Sequence, residues 1–241
     1  KMKKINILFL LVGVFASSQV LPEELKNVNM NKVKSVLDWG GMNRFTEQNQ
    51  VLLESGQNSV NTVFMGDSIT EGWSAYFPEF FQENPFINRG IGGQTTPQML
   101  VRFRQDVIAH QPKVVVILAG TNDIAGNTPF IDLATVAGNI FSMAEIAKCN
   151  GIEVIICSVL PAASYPWAPG KNPNVLIPEL NQLLKNYAEQ NQMEYLDYFS
   201  AMTDGNNGMQ KQLTNDGVHV TKEGYQIMIN MVNAAISKVL N

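Results

Sequence analysis

Four short segments of this sequence carry polar side chains of the kinds that acyl transfer requires. They are Gly66-Asp67-Ser68, Gly90-Ile91-Gly92-Gly93-Gln94, Gly120-Thr121-Asn122-Asp123 and Asn215-Asp216-Gly217-Val218-His219. The first three follow predicted strands, and the fourth precedes the last predicted helix. Because the carboxyl ends of parallel strands meet at one edge of a sheet, we expect the four segments to converge there.

A serine, a histidine and an aspartate in these segments could form a nucleophilic relay. The chain has two histidines. His110 ends a predicted helix on the amino side of the central strand, where the helix dipole explains it. His219 lies on the carboxyl side, and Asp216, three residues earlier, can orient its ring. Ser68, on a strand-to-helix turn, is then the candidate nucleophile, with His219 as its general base.

Amide groups of the same segments could stabilise the negative charge that acyl transfer creates. A tetrahedral oxyanion requires preorganised N–H donors. We expect the Ser68 N–H, the Gly93 N–H and the Asn122 side-chain amide to supply them. Each motif alone also has a structural explanation, such as a turn or a helix cap, but all four in this order predict an esterase.

The sequence motifs of three other protein classes are incomplete or absent in this chain. Thr95 stands where the dinucleotide-binding fingerprint requires a glycine, and Thr70 stands where the α/β-hydrolase elbow requires one. A flavin-binding protein would need a phosphate-binding loop after the first strand, where Asp67 and Glu71 would repel phosphate.

Apolar runs alternate with segments of helical periodicity along the chain. The predicted strands are 61–66, 86–89, 113–120, 153–160 and 193–196, and the main predicted helices are 96–109, 133–148, 178–188 and one capped by Thr221. Strands separated by helices indicate βαβ units with right-handed crossovers. We therefore predict an α/β domain over residues 56–241, with about five parallel strands and helices on both faces. Residues 19–55 are expected to form a helical arm on this domain.

The first 18 residues have the composition of a secretory signal peptide. Lysines precede an apolar run from Ile5 to Phe15, and small residues follow it. The run is too short to cross a bilayer core of about 30 Å. We expect a secreted or periplasmic protein without a stable membrane anchor.

Composition excludes several other classes. With 241 residues, 45% of them apolar, and a net charge of −4, the chain should fold and should not bind nucleic acid. Two cysteines exclude a disulfide framework and a cysteine-rich zinc site. We expect Cys149 and Cys157 to be small buried residues.

The four motifs resemble the conserved blocks of the SGNH, or GDSL-type, hydrolases. The matching positions are Gly66-Asp67-Ser68-Ile69, Gly93, Gly120-Thr121-Asn122 and the Asp216/His219 pair. Only Ile69 departs from the first block, which has leucine there. The resemblance implies a three-layer, flavodoxin-like fold and ester hydrolysis without metal or cofactor. Residues 90–96 look most similar to the branch of platelet-activating-factor acetylhydrolase and bacterial carbohydrate esterases.

The loop after the fourth strand should border the substrate. It contains Tyr165 and Trp167, whose aromatic faces suit sugar rings, although packing the loop down explains them equally well. Further candidate contacts, which could equally brace the adjoining turns, are Asp67, Gln94 and Asp123. Because no long insertion remains to form a lid, short acyl groups are favoured over long-chain fat.

We therefore expect a secreted esterase that removes short acyl groups, acetyl above all, from a glycan or a similar small ester. Two alternatives remain open. One is a lysophospholipase or thioesterase that acts on longer acyl chains, and the other is a catalytically silent domain that binds glycans in the same cleft. Hydrolysis that depends on Ser68, and its preferred chain length, would distinguish them.

Overall fold

The structure, a computed structural model, describes residues 36–55 and 60–241. The expected signal peptide (1–18) and residues 19–35 of the expected arm lie outside the described residues. The chain divides into two units, 1–39 and 40–241. Of the first unit, residues 36 and 37 are helical and residues 38 and 39 form a turn. The second unit carries the sheet and includes part of the expected arm.

Five parallel strands form one sheet, as the sequence predicts. They are β1 (Thr62–Gly66), β2 (Phe86–Gly90), β3 (Val114–Leu118), β4 (Glu153–Cys157) and β5 (Glu194–Leu196). Their order is β2-β1-β3-β4-β5, so the connections reverse direction between β1 and β3. Gly66, Gly90 and Leu118 pair across the three neighbouring strands, so these strands end at the same level. Such a reversal point opens a crevice at the carboxyl edge of the sheet.

Helices cover both faces of this sheet. They are α1 (Thr46–Glu54), α2 (Ser68–Tyr76), α3 (Pro78–Gln82), α4 (Thr96–Asp106), α5 (Thr121–Ala125), α6 (Leu133–Cys149), α7 (Pro173–Gln190), α8 (Tyr198–Met202) and α9 (Lys222–Leu240), with 3₁₀ turns at Ile108–His110 and Lys211–Leu213. Alternate residues of β3 enter different cores because strand side chains alternate between faces. Val115 packs with residues of α4, α6 and α7, and Val116 packs with residues of α2 and α9. The three-layer α/β prediction is confirmed.

The seventh helix begins earlier than predicted. The sequence predicts a start at Pro178, but α7 starts at Pro173 and contains Pro178 in its interior. A proline there cannot donate to the carbonyl four residues before it. The Asn207 side-chain amide donates to that carbonyl, Asn174 O, at 2.8 Å, and so replaces the missing bond.

Two expectations about single residues are wrong in part. Cys157 is buried, as expected, but Cys149 is exposed, and both are free thiols. His110 ends a short helix, as the sequence predicts, but it is buried with its Nε2 2.9 Å from Asn49 Oδ1. Burial and the nearby Arg89 lower its pKa to about 4, so the ring is neutral at pH 7 and gains little from a helix dipole.

No helix within 36–55 or 60–241 is long and apolar enough to cross a membrane.

Candidate active site

Ser68 lies at a tight turn between β1 and α2. It is the first residue of α2, and the preceding Asp67 caps that helix by accepting from the Ile69 amide at 3.0 Å. At Gly66 a Cβ atom would overlap the Thr70 side chain and approach Leu118 O to 2.9 Å. The strand can therefore turn directly into the helix only with glycine at this position. Because Ser68 lies in the first turn of α2, its amide has no carbonyl partner inside the helix.

A continuous chain of hydrogen bonds joins Ser68, His219 and Asp216. Ser68 Oγ lies 3.1 Å from His219 Nε2, and His219 Nδ1 lies 2.6 Å from Asp216 Oδ2. The other carboxylate oxygen, Asp216 Oδ1, accepts from the backbone amides of Val218 at 2.9 Å and His219 at 2.7 Å. One oxygen thus fixes the loop while the other orients the ring.

The charge of Asp216 determines the tautomer of His219. Partial burial raises the pKa of Asp216, but hydrogen bonds from the His219 ring and from the His219 and Val218 amides outweigh burial and hold it below its usual value. Asp216 is therefore ionised at neutral pH and can only accept hydrogen bonds. The proton of a neutral His219 ring then lies on Nδ1, and Nε2 presents a lone pair to Ser68 Oγ. This arrangement can remove a proton from the serine hydroxyl.

Gly93 and Asn122, two of the expected oxyanion donors, lie in segments that a hydrogen bond joins. Gly93 has a φ of +77°, a conformation that glycine adopts without strain. Asn122 follows β3 and donates from Nδ2 to Gln94 O at 3.1 Å, which ties it to the loop that contains Gly93. An amide nitrogen carries two hydrogens, so Asn122 Nδ2 keeps a second donor for another acceptor.

Three side chains that were expected to contact the substrate instead bond to other parts of the protein. Asp67, Gln94 and Asp123 are all buried. Gln94 bonds to Gly40 O at 2.9 Å and to Arg102 Nε at 2.6 Å, and Asp123 accepts from the Thr96 hydroxyl at 2.7 Å. Burial raises the pKa of Asp67 to about 7 and that of Asp123 to about 6. These side chains brace the turns of the site, and the expectation of substrate contact is corrected for all three.

Of the two aromatic residues expected at the substrate, only Trp167 is accessible. Tyr165 is 1% exposed and bonds to the Thr121 hydroxyl at 2.8 Å, so its expected substrate contact is also corrected. Trp167 is 43% exposed. Its ring centroid lies 5.9 Å from that of His219, with an interplanar angle of 37°. The loop therefore places one aromatic face next to the reacting groups.

His219 and Asp216 lie on an open surface. The side chains of His219 and Asp216 are 44% and 37% exposed. A cavity of about 640 Å³ lies between α1, α2 and the edge strand β2, and its lining includes Arg44 and Glu71 but neither Ser68 nor His219. Among the described residues, no three His, Cys, Asp or Glu side chains are close enough together to bind a metal ion.

The model of the GDSL-like lipase/acylhydrolase family matches residues 64–227, which include all four motifs. The chain belongs to this family. The resemblance inferred from the motifs is thereby confirmed, and the protein is a carboxylic ester hydrolase of the GDSL type.

Individual proteins and solved structures are similar to this chain. A GDSL-like lipase from Bacteroides thetaiotaomicron is 44% identical, with a TM-score of 0.79, over 83% of this chain and 98% of that one. Human platelet-activating factor acetylhydrolase IB subunit alpha2 is 25% identical over 81% of this chain and 84% of its own length. An acetylxylan esterase from Geobacillus stearothermophilus is 20% identical, with a TM-score of 0.59, over 75% and 95%. At that identity, the last likeness shows the fold alone.

Sequence reasoning missed two residues that hold the loop of Gly92 and Gly93, which contains an expected oxyanion donor. Glu71 accepts from the Gly92 amide at 2.9 Å and pairs with Arg44 at 3.1 Å. Asn127 donates to Gly93 O at 3.0 Å and to Asn122 Oδ1 at 2.9 Å. Glu71 could have been found from its position one helical turn after Ser68, whereas no pattern marks Asn127.

A third missed residue, Arg102, is a completely buried link between the strand ends. Its guanidinium donates to Gly66 O at 3.2 Å and to Arg89 O at 2.9 Å, and it pairs with Asp106 at 3.0 Å. With its bond to Gln94, Arg102 joins the turn before Ser68 to the loop after β2. The available signal was an arginine four residues before an aspartate in a predicted helix.

Proposed function

We propose that this protein is a secreted serine esterase that removes short acyl groups, acetyl above all, from a carbohydrate or a similar ester. The observation that carries the proposal is the hydrogen-bond chain from Ser68 Oγ through His219 to Asp216. Secretion rests on the signal-peptide composition of residues 1–18.

In the proposed mechanism, Ser68 Oγ attacks the ester carbonyl carbon while His219 Nε2 takes the hydroxyl proton. The carbonyl oxygen becomes an oxyanion and accepts hydrogen bonds from the Ser68 and Gly93 amides and the Asn122 side chain. His219 then donates its proton to the departing alcohol. Water, activated by the same histidine, hydrolyses the acyl-serine and releases the acid, and Asp216 stabilises the imidazolium in both half-reactions.

Three observations favour a short acyl group on an accessible substrate. The half-exposed His219 ring leaves room for a large alcohol to approach from solvent. Trp167 offers an aromatic face beside it, which suits the apolar face of a sugar ring. A similar protein, the platelet-activating factor acetylhydrolase subunit, has a name that refers to an acetyl group.

A chain-length series tests this proposal. The protein, its Ser68→Ala variant and the matched control Ser237→Ala, an exposed serine of α9, are assayed on p-nitrophenyl esters from acetate to decanoate. Turnover that needs Ser68 and is fastest on acetate supports the proposal, and acetylated glycans are assayed next. A maximum at long chains would replace it with a lysophospholipase or thioesterase. Absence of turnover that depends on Ser68 would contradict it, and a glycan-binding assay would then test the silent binding domain.

A further inference from the structure

One exposed side chain outside the four motifs bonds to two components of the oxyanion hole. Asn127 follows Gly126, which ends α5 with a φ of +82°. Its Nδ2 atom donates to Gly93 O at 3.0 Å and to Asn122 Oδ1 at 2.9 Å. A single side-chain amide therefore joins the loop of Gly93, which follows β2, to Asn122, which follows β3.

Two backbone carbonyls fix the orientation of both side-chain amides. Gly93 O can only accept, so the nitrogen of Asn127 must face it. Gln94 O can only accept as well, so the nitrogen of Asn122 must face it, at 3.1 Å. The oxygen of Asn122 then faces Asn127, and this bond satisfies it. If Asn122 were rotated by 180° about its last side-chain bond, its oxygen would meet Gln94 O and its nitrogen would meet the nitrogen of Asn127.

We propose that Asn127 is a positioning residue that keeps the Gly93 amide and the Asn122 Nδ2 atom aimed at the oxyanion. The inference rests on the proposed function, because it assigns a role within the same site. Asn127 accomplishes this through Gly93 and Asn122 and needs no contact with the substrate. Because donors must be preorganised to stabilise the transition state, its loss lowers kcat and leaves KM nearly unchanged.

Replacement of Asn127 tests the effect on turnover. Asn127 is exposed, so Asn127→Ala leaves no buried cavity. We expect kcat on p-nitrophenyl acetate to fall about 10-fold, with KM changed less than about 2-fold. Asn127→Asp should be worse, because a carboxylate can only accept and would face two oxygens. The matched controls are Asn150→Ala and Asn150→Asp, since Asn150 is also exposed and bonds to one carbonyl, Ile146 O, at 2.6 Å. Unchanged kcat, or a rise in KM alone, would overturn the proposal.

A double-mutant cycle with Asn122→Ala tests the route. If Asn127 acts through the Asn122 amide, Asn127→Ala should lower kcat at least about 3-fold less in the Asn122→Ala background than in the wild type. An equal effect in both backgrounds would show that Asn127 does not act through the Asn122 amide and would overturn its proposed positioning of Asn122 Nδ2.

A measurement without substrate separates this inference from the proposed function. The side-chain amide signals of Asn122 in ¹⁵N NMR spectra are identified by their loss in Asn122→Ala. They should shift in Asn127→Ala and stay unchanged in Asn150→Ala. Unshifted signals would overturn the positioning role whether or not the protein hydrolyses esters. Failure of the proposed function would instead appear as ester turnover that is absent, or equal in the wild type and Ser68→Ala.

Discussion

Arg102 should contribute more to stability than any single surface residue of this site. Its side chain is fully buried and donates to Asp106, Gln94, Gly66 O and Arg89 O. Arg102→Met removes all of these donors while the buried Asp106 carboxylate keeps a bond from Asn49 Nδ2 at 2.8 Å. Removing one partner of a buried ion pair costs about 3–5 kcal/mol. That is a large part of the roughly 5–15 kcal/mol that stabilises a typical domain.

Urea unfolding followed by circular dichroism measures this cost. The matched control is Arg104→Met, because Arg104 lies on the same helix with its side chain exposed, and surface substitutions usually change stability by less than about 0.5 kcal/mol. A loss below about 1 kcal/mol for Arg102→Met would refute the reasoning, because such a value is typical of an exposed ion pair.

Three further predictions concern the reacting groups and their support. Asp216→Asn should lower kcat on p-nitrophenyl acetate about 10⁴-fold, because an amide no longer fixes the histidine tautomer; a loss under about 10-fold would contradict that role. Asn122→Ala should lower kcat about 10²–10³-fold with little change in KM, and a KM effect alone would indicate ground-state binding instead. Because the pKa of Asp67 is raised by burial from 3.8 to about 7, the folded state binds this proton more tightly than the unfolded state. The contribution of the Asp67 carboxyl to the free energy of unfolding therefore falls by up to about 4 kcal/mol as the pH rises from about 4 to about 7. Asp67→Asn should gain stability relative to wild type over this range, and equal urea-midpoint differences at pH 4.5 and pH 7.5 would exclude the effect.

The sheet and the closeness of Ser68, His219 and Asp216 could be predicted because their sequence signals are local. Val114–Leu118 is a run of apolar, mostly β-branched residues that is buried on both faces, as in a central parallel strand. The chemistry-bearing segments follow such strands or lie at the start of the last helix. Topology alone therefore places Ser68, Asn122 and His219 at one edge.

The rest depends on contacts between residues far apart in the chain. Pro173 and Pro178 are both suitable first residues of a helix. The earlier start depends on Asn207, which lies 33 residues from the carbonyl that it satisfies. Tyr165 and Trp167 share one loop, but only the bond to Thr121 shows which of them is buried. Asn127 bonds to Gly93 across 34 residues, so no spacing rule could have identified it.

The most direct test of the central claim is to locate the covalent intermediate. The protein is incubated with an alkyl p-nitrophenyl phosphonate, which traps an activated serine, and the adduct is measured by intact mass and peptide mapping. The account predicts one phosphonyl group per chain, attached to Ser68, with no adduct in Ser68→Ala and slow labelling in His219→Ala. An adduct on another residue, or full esterase turnover in Ser68→Ala, would contradict it.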